Sequence, residues 1–214
     1  MDERVQLGEG ARALGLALEL HVVDRLFRLL DELSRWNEAY NLTAIVDRPG
    51  MVTHHLLDSL SIHADVQGRR VADVGTGAGF PGLPLAMVAP DRHYTLIDSN
   101  NKKVRFVAHV ARLLGLGNVT ALHARVEKLA DFEPFDTVTV RAFASLPDIA
   151  KNISPICGPT TRVLAMKGRV PADETDALPT GWRVAETRPI VVPGLGEARS
   201  LIVLQRNEDS RDRT

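Results

Sequence analysis

The chain has 214 residues, 44% of them hydrophobic, with 26 Lys and Arg against 27 Asp and Glu. That length fits one domain with a decoration or two small ones, and the apolar content supports a substantial core. A formal net charge of −1 excludes the bulk-basic signature of a nucleic-acid binder, so a polyanionic partner would have to be met by a local positive field.

Residues 1–10 are polar and read as a frayed start. Met1-Asp2-Glu3-Arg4 lacks a basic-then-apolar leader, and no apolar run approaches the roughly 18 residues of a membrane span. The expectation is a cytoplasmic protein with no membrane contact. From Ala11 to Trp36, Leu14, Leu18, Val22, Leu26, Leu29, Leu30 and Leu33 recur at helical spacing and predict one amphipathic helix. Over Trp36–Ala44 aromatics alternate with amides without a clean period, and Asn37 and Asn41 are expected to bond backbone in a turn. Beyond Pro49-Gly50, Met51–Val66 predicts a further helix carrying His54, His55, Asp58 and Ser59. Residues 1–66 thus read as a helical extension, set off at Gln67-Gly68-Arg69-Arg70 from an α/β body over 67–206. Residues 207–214 read as a disordered charged tail.

The body alternates strands and helices. Val71–Val74 is a strand, followed by a glycine turn and a helix over Leu83–Val88. His93–Ile97 is a strand ending at Asp98, and Asn101–Leu114 a helix bearing Lys102, Lys103, Arg105 and Arg112. Strands over Val119–Leu122 and Phe135–Val140 come next, the latter followed by Arg141. A helix over Leu146–Ile156 leads to a strand over Thr161–Met166 and then Lys167-Gly168-Arg169. Trp182–Val192 and Ser200–Gln205 close the chain as an antiparallel pair. The pattern predicts a Rossmann-like α/β fold, a mostly parallel seven-stranded sheet with helices on both faces.

In such a sheet ligands bind outside the carboxyl ends of the strands. At the first of these ends stands Asp73-Val-Gly75-Thr-Gly77-Ala-Gly79-Phe80. The third glycine comes one residue too early for a dinucleotide fingerprint, and no lysine completes a P-loop. An acid followed by G-x-G-x-G is instead the pattern of S-adenosylmethionine (AdoMet) sites. A turn that binds nothing would carry the entropic cost of so many glycines without need. Asp98, 19 positions after Gly79, is placed to take both hydroxyls of a ribose. Val126 and Glu127 follow the third strand, where an amide and a side chain can read an adenine edge. A nicotinamide dinucleotide fits the Asp98 spacing but not the glycines.

Arg141 follows the fourth strand, where amine and DNA-base methyltransferases carry an N/D-P-P-Y/F signature that this chain lacks. Its fixed fork of donors suits a phosphate, a carboxylate or a guanine Hoogsteen edge, against the plainer reading of a surface ion pair. His54 and His55 come without accompanying Cys/His spacing, and Cys157 is the only cysteine, so packing or polar contact is expected and no metal.

Four segments together, Trp36-Asn-x-x-Tyr40-Asn-Leu-Thr43, His55-x-x-Asp58-Ser59-Leu60, Asp73 to Gly82, and Arg141-Ala-Phe-Ala-Ser145 with Lys167-Gly168, resemble one family. It is the bacterial 16S rRNA guanine-N7 methyltransferases, also called glucose-inhibited division protein B, and the likeness covers nearly the whole chain. The resemblance implies a class I AdoMet-dependent methyltransferase fold and transfer to N7 of a guanine in the 530 loop of 16S rRNA (position 527). It carries AdoMet contacts onto Gly75, Phe80, Val126, Glu127 and Arg141, beside Gly77 and Asp98 from the pattern above. Arg141 and Arg125 are the candidate catalytic residues. Guanine N7 loses no proton on methylation, so positioning and exclusion of water suffice without a general base. The partner implied is 16S rRNA or the small ribosomal subunit, met by a monomer through Arg125, Arg141, Lys167 and Arg169 at strand ends and through the basic helix after Asp98. A small-molecule AdoMet methyltransferase with a closed apolar pocket is the alternative, and a binding protein without turnover a further one.

Overall fold

The computed structural model describes residues 2–141, 144–168 and 172–207. Arg169, the Ala142-Phe143 part of the Arg141 motif, and residues 208–214 of the tail lie outside them. The polar start is not frayed. The Asp2 side chain accepts from Arg4 N and caps helix α1, Glu3–Ala13, which buries Leu7 and Ala11. The long helix expected from Ala11 is two, because Gly15 takes φ +80, which a right-handed helix cannot continue through. Helix α2 then runs Leu20–Tyr40, past Trp36, and ends on Asn41 at φ 50. Asn37 does bond backbone: its Oδ1 accepts from Thr43 N at 2.9 Å and its Nδ2 donates to Thr43 O at 3.0 Å. Asn41 contributes through its left-handed backbone instead.

The helix expected over Met51–Val66 is a relay of short turns. α3, Arg48–Met51, widens into a π-helical turn over Val52–Leu57, tightens again as α4, Asp58–Leu60, and gives way to a 3₁₀ turn at His63–Asp65. Single π turns recur at functional sites because they re-aim side chains within a helix.

The body follows as β1 (Arg70–Val74), α5 (Gly82–Val88), β2 (His93–Asp98), α6 (Asn101–Leu113), β3 (Val119–His123), β4 (Phe135–Arg141), α7 (Leu146–Ile153), β5 (Cys157–Lys167), α8 (Ala172–Asp176), β6 (Trp182–Ile190) and β7 (Arg199–Arg206). Among the described residues one seven-stranded sheet has the order β3-β2-β1-β4-β5-β7-β6. The first five strands run parallel, and β7 lies antiparallel between β5 and β6. The order reverses between β1 and β4, opening a crevice at their carboxyl ends. No described helix is long and apolar enough to cross a membrane.

Side chains alternate across the sheet, as the pleat requires. Leu164, Met166, Leu201 and Val203 join one apolar cluster with α1, α2, α5 and α6, so the N-terminal helices share a core with the sheet. Val163, Ala165, Ile202 and Leu204 join the other, beneath α7.

Asp73 is one of several polar groups sealed into this core. Asp73, 1% exposed, accepts from Thr76 Oγ1 at 2.5 Å, Thr139 Oγ1 at 2.9 Å and Gly82 N at 3.0 Å. It therefore ties β1 to β4, to the glycine turn and to the start of α5. Burial pushes its carboxyl above the usual carboxylate range, while the donors oppose that rise. Asp73→Ala should strand these donors and cost about 2–4 kcal/mol in denaturant unfolding. A loss under about 0.5 kcal/mol, the range of ordinary surface substitutions, would show that the carboxylate does not organise the crevice.

Candidate active site

The backbone of the glycine turn is set by its neighbours. Gly75 N and Thr76 N both donate to Ile97 O on β2, at 2.9 and 3.1 Å. Gly77 N donates to Asp98 Oδ2 at 2.9 Å, and Asn100 N to Asp98 Oδ1 at 2.8 Å. The glycines then divide by role. Gly77 takes φ +60, and a Cβ there would meet only Gly75 O at 4.0 Å, so its free space belongs to the cleft. A Cβ on Gly79 would collide with Leu83, and one on Gly82 would lie 2.8 Å from Asp73 Oδ2, so those two serve packing.

Two cavities flank the turn. One, of about 400 Å³, is lined by Gly75, Asp98, Ser99, Arg125, Val126 and Glu127. The other, of about 560 Å³, is lined by Thr43, His55, Asp58, Phe80, Arg141 and Arg199 among others. Gly75 and Lys103 border both. The structure thus gathers Gly75, Asp98, Val126 and Glu127 on one side of the turn, and Gly77, Phe80 and Arg141 on the other. Arg125 is separated from Arg141: it borders the smaller cavity, with 67% of its side chain exposed and Glu127 Oε1 4.0 Å away.

Arg141 is no surface ion pair. Its Nη1 donates to Asp58 Oδ2 and to His54 O, both at 2.9 Å, and its guanidinium stands 5.8 Å from the centre of the Phe80 ring. Asp58 Oδ1 accepts from a second arginine, Arg199 Nε, at 3.2 Å. Phe80 in turn stacks on His55, with centroids 4.7 Å apart. His55 Nε2 lies 2.9 Å from Thr43 Oγ1, which joins it to the strap that Asn37 holds. His55 thus makes packing and polar contacts, while what His54 gives Arg141 is its backbone carbonyl.

Of the basic residues expected to face RNA, Lys102 and Arg105 are exposed on α6, and Lys102 Nζ stands 5.8 Å from the Tyr40 ring centre. Lys103 borders both cavities with no ion pair among the described residues. Lys167 is different. It borders the larger cavity but pairs with Glu174 of α8, a helix that the sequence did not announce. Sequence reasoning also left Asp58 without a role and missed Arg199 altogether. The Asp58 motif was visible. Arg199 offered no signal, because its partner lies 141 positions away.

His55 is pushed down from 6.5 to about 4, chiefly by burial and next by the charge of Arg141. A histidine whose folded value is depressed contributes stability above its unfolded value. That contribution is lost as pH falls from 6.5 towards 4, because the unfolded chain takes up the proton first. Unfolding measured across this window should show a loss of about 3 kcal/mol in the wild type that His55→Gln lacks. Identical pH profiles for the two would mean that His55 is not held neutral in the fold.

The profile of the rRNA small subunit methyltransferase G family matches residues 23–203 of the chain. The ribosomal RNA small subunit methyltransferase G of Pseudomonas paraeruginosa is 46% identical over 203 residues, covering 94% of each chain. That of Aromatoleum aromaticum is 45% identical, covering 94% of this chain and 98% of its own. Among solved structures, TrmN from Thermus thermophilus matches with a TM-score of 0.58 at 21% identity, covering 73% of this chain and 53% of that one. A SAM-dependent methyltransferase from Aquifex aeolicus matches with 0.54 at 20% identity, covering 73% and 93%. These two likenesses show the fold alone.

Proposed function

The chain belongs to the rRNA small subunit methyltransferase G family, and from that premise we propose that it transfers the methyl group of AdoMet to N7 of a guanine in the 530 loop of 16S rRNA. On this reading it works in the cytoplasm, as a monomer, on 16S rRNA or the small ribosomal subunit. The observation that carries the reading is the cleft itself: a glycine turn with open space at Gly77 lies between a cavity bordered by Asp98 and one bordered by Arg141.

The residues fit AdoMet. Gly77 leaves room that any Cβ would fill, and Asp98 has lone pairs beyond those bonded to Gly77 N and Asn100 N. Asp98 would take the ribose hydroxyls, while Val126 N and Glu127 would take the adenine edge. AdoMet, when bound, supplies an electrophilic methyl group. The protein's share is then to orient the base and exclude water, since N7 has a lone pair and no proton to lose. Arg141 keeps Nε and Nη2 free of bonds to described residues, as donors towards O6, a phosphate or the cofactor carboxylate. Over the target ring itself a cation would oppose the positive charge that N7 methylation creates. Arg125, at the smaller cavity, would meet RNA at the rim.

Asp98→Ala should weaken AdoMet binding at least tenfold by calorimetry, since two charge-assisted hydrogen bonds of about 1.5–3 kcal/mol each are lost. Gly77→Val should abolish it, because the branched side chain fills the cleft. Normal binding by both variants would remove AdoMet from this turn. Arg141→Ala should slow single-turnover methylation of small-subunit particles roughly 30- to 1,000-fold, equivalent to about 2–4 kcal/mol at the transition state. Arg141→Lys should rescue poorly, because an ammonium cannot hold His54 O and Asp58 and still present a planar fork. Near-wild-type rates in both would leave Arg141 outside the reaction.

A further inference from the structure

Asp58 is the most constrained charged group in the larger cavity. Its side chain is 2% exposed, and each carboxylate oxygen holds a different arginine: Oδ2 holds Arg141 Nη1 and Oδ1 holds Arg199 Nε. The three residues come from remote places. Asp58 opens α4 directly after the π-helical turn, Arg141 ends β4 and Arg199 begins β7, with β5 between those strands. Both guanidinia border the cavity and keep donors unused by the described residues, Nε and Nη2 of Arg141 and Nη2 of Arg199.

The charges around the cavity show what those donors serve. Around the cavity three cations, Arg141, Arg199 and Lys103, meet two carboxylates, Asp58 and the exposed Glu197 bonded to Arg199. Lys167 is already neutralised by Glu174. On the reading above, AdoMet carries one carboxylate against an ammonium and a sulfonium, and the product is a cationic purine, so in net charge neither offsets the surplus. An anion on the target does. We infer that Asp58 is a positioning residue that clamps Arg141 and Arg199 into one anion subsite, which takes the phosphate of the target nucleotide. The inference rests on the proposed nucleotide substrate and adds how that nucleotide is gripped. Asp58 anchors each guanidinium by one bond, backed by His54 O on Arg141 and Ala198 O on Arg199, and an anchored fork loses less freedom when it meets a phosphate.

The test turns on the sign of the effect at Asp58. The wild-type protein should bind guanosine 5′-monophosphate about tenfold or more tightly than guanosine by calorimetry. If Asp58 only offset charge, Asp58→Asn would strengthen binding of the monophosphate, because a negative group is gone. If it positions the arginines, Asp58→Asn should bring the two ligands to within about twofold of each other. Arg199→Gln, which leaves the Asp58–Arg141 pair intact, should do the same, and it stands in if Asp58→Asn does not fold by circular dichroism. Equal wild-type affinities, a preference that rises in Asp58→Asn, or one that persists in Arg199→Gln overturns the inference. Failure of the proposed reaction would show separately, as a nucleotide preference without methyl transfer to small-subunit particles.

Discussion

The crevice exists because one carboxylate is buried beneath it. A sheet whose strand order reverses between β1 and β4 leaves a gap at their carboxyl ends, but topology alone does not shape that gap. Asp73 does so by holding Thr139 of β4, Thr76 of the turn and the amide that starts α5. With these fixed, Gly75 and Thr76 lie against Ile97 O, Gly77 reaches Asp98, and the two cavities open on either side of a single loop. A buried acid is costly when unpaired, and here each donor that it satisfies belongs to an element the crevice needs.

Around that frame the protein distributes charge sparingly. Its net charge is −1, so attraction for a polyanion has to be concentrated where the target enters. The cations bordering the larger cavity are fixed rather than merely present. Asp58 holds two of them, and the stack of Phe80 on His55 supports the ring beneath Arg141. His55 in turn bonds Thr43 of the strap that Asn37 secures at the end of α2. The N-terminal helices thereby reach the chemistry through a continuous line of contacts, as well as through the core that they share with the sheet.

The strands, their order in the chain and the antiparallel closing pair were legible, because apolar runs bounded by turn residues are local signals. The glycine turn and Asp98 were legible for the same reason, as residues of fixed type at fixed spacing. Helix continuity was not. The leucine stripe from Leu14 onward keeps its period through Gly15, yet the backbone there turns left-handed and the helix restarts at Leu20. The π-helical turn at Val52–Leu57 has no compositional mark, and it decides where His55 and Asp58 point. Arg199 escaped because its partner lies 141 positions away, and Glu174, only seven positions from Lys167, because nothing in the sequence marked the short helix that carries it.

The most direct measurement is transfer of a labelled methyl group from AdoMet to small ribosomal subunits, with the modified nucleotide mapped by chain scission at N7-methylguanine. The account predicts label at a single guanine of the 530 loop of 16S rRNA, and none there with the Arg141→Ala protein under the same conditions. Label spread over other nucleotides, or no transfer to RNA by a protein that binds AdoMet, would contradict it.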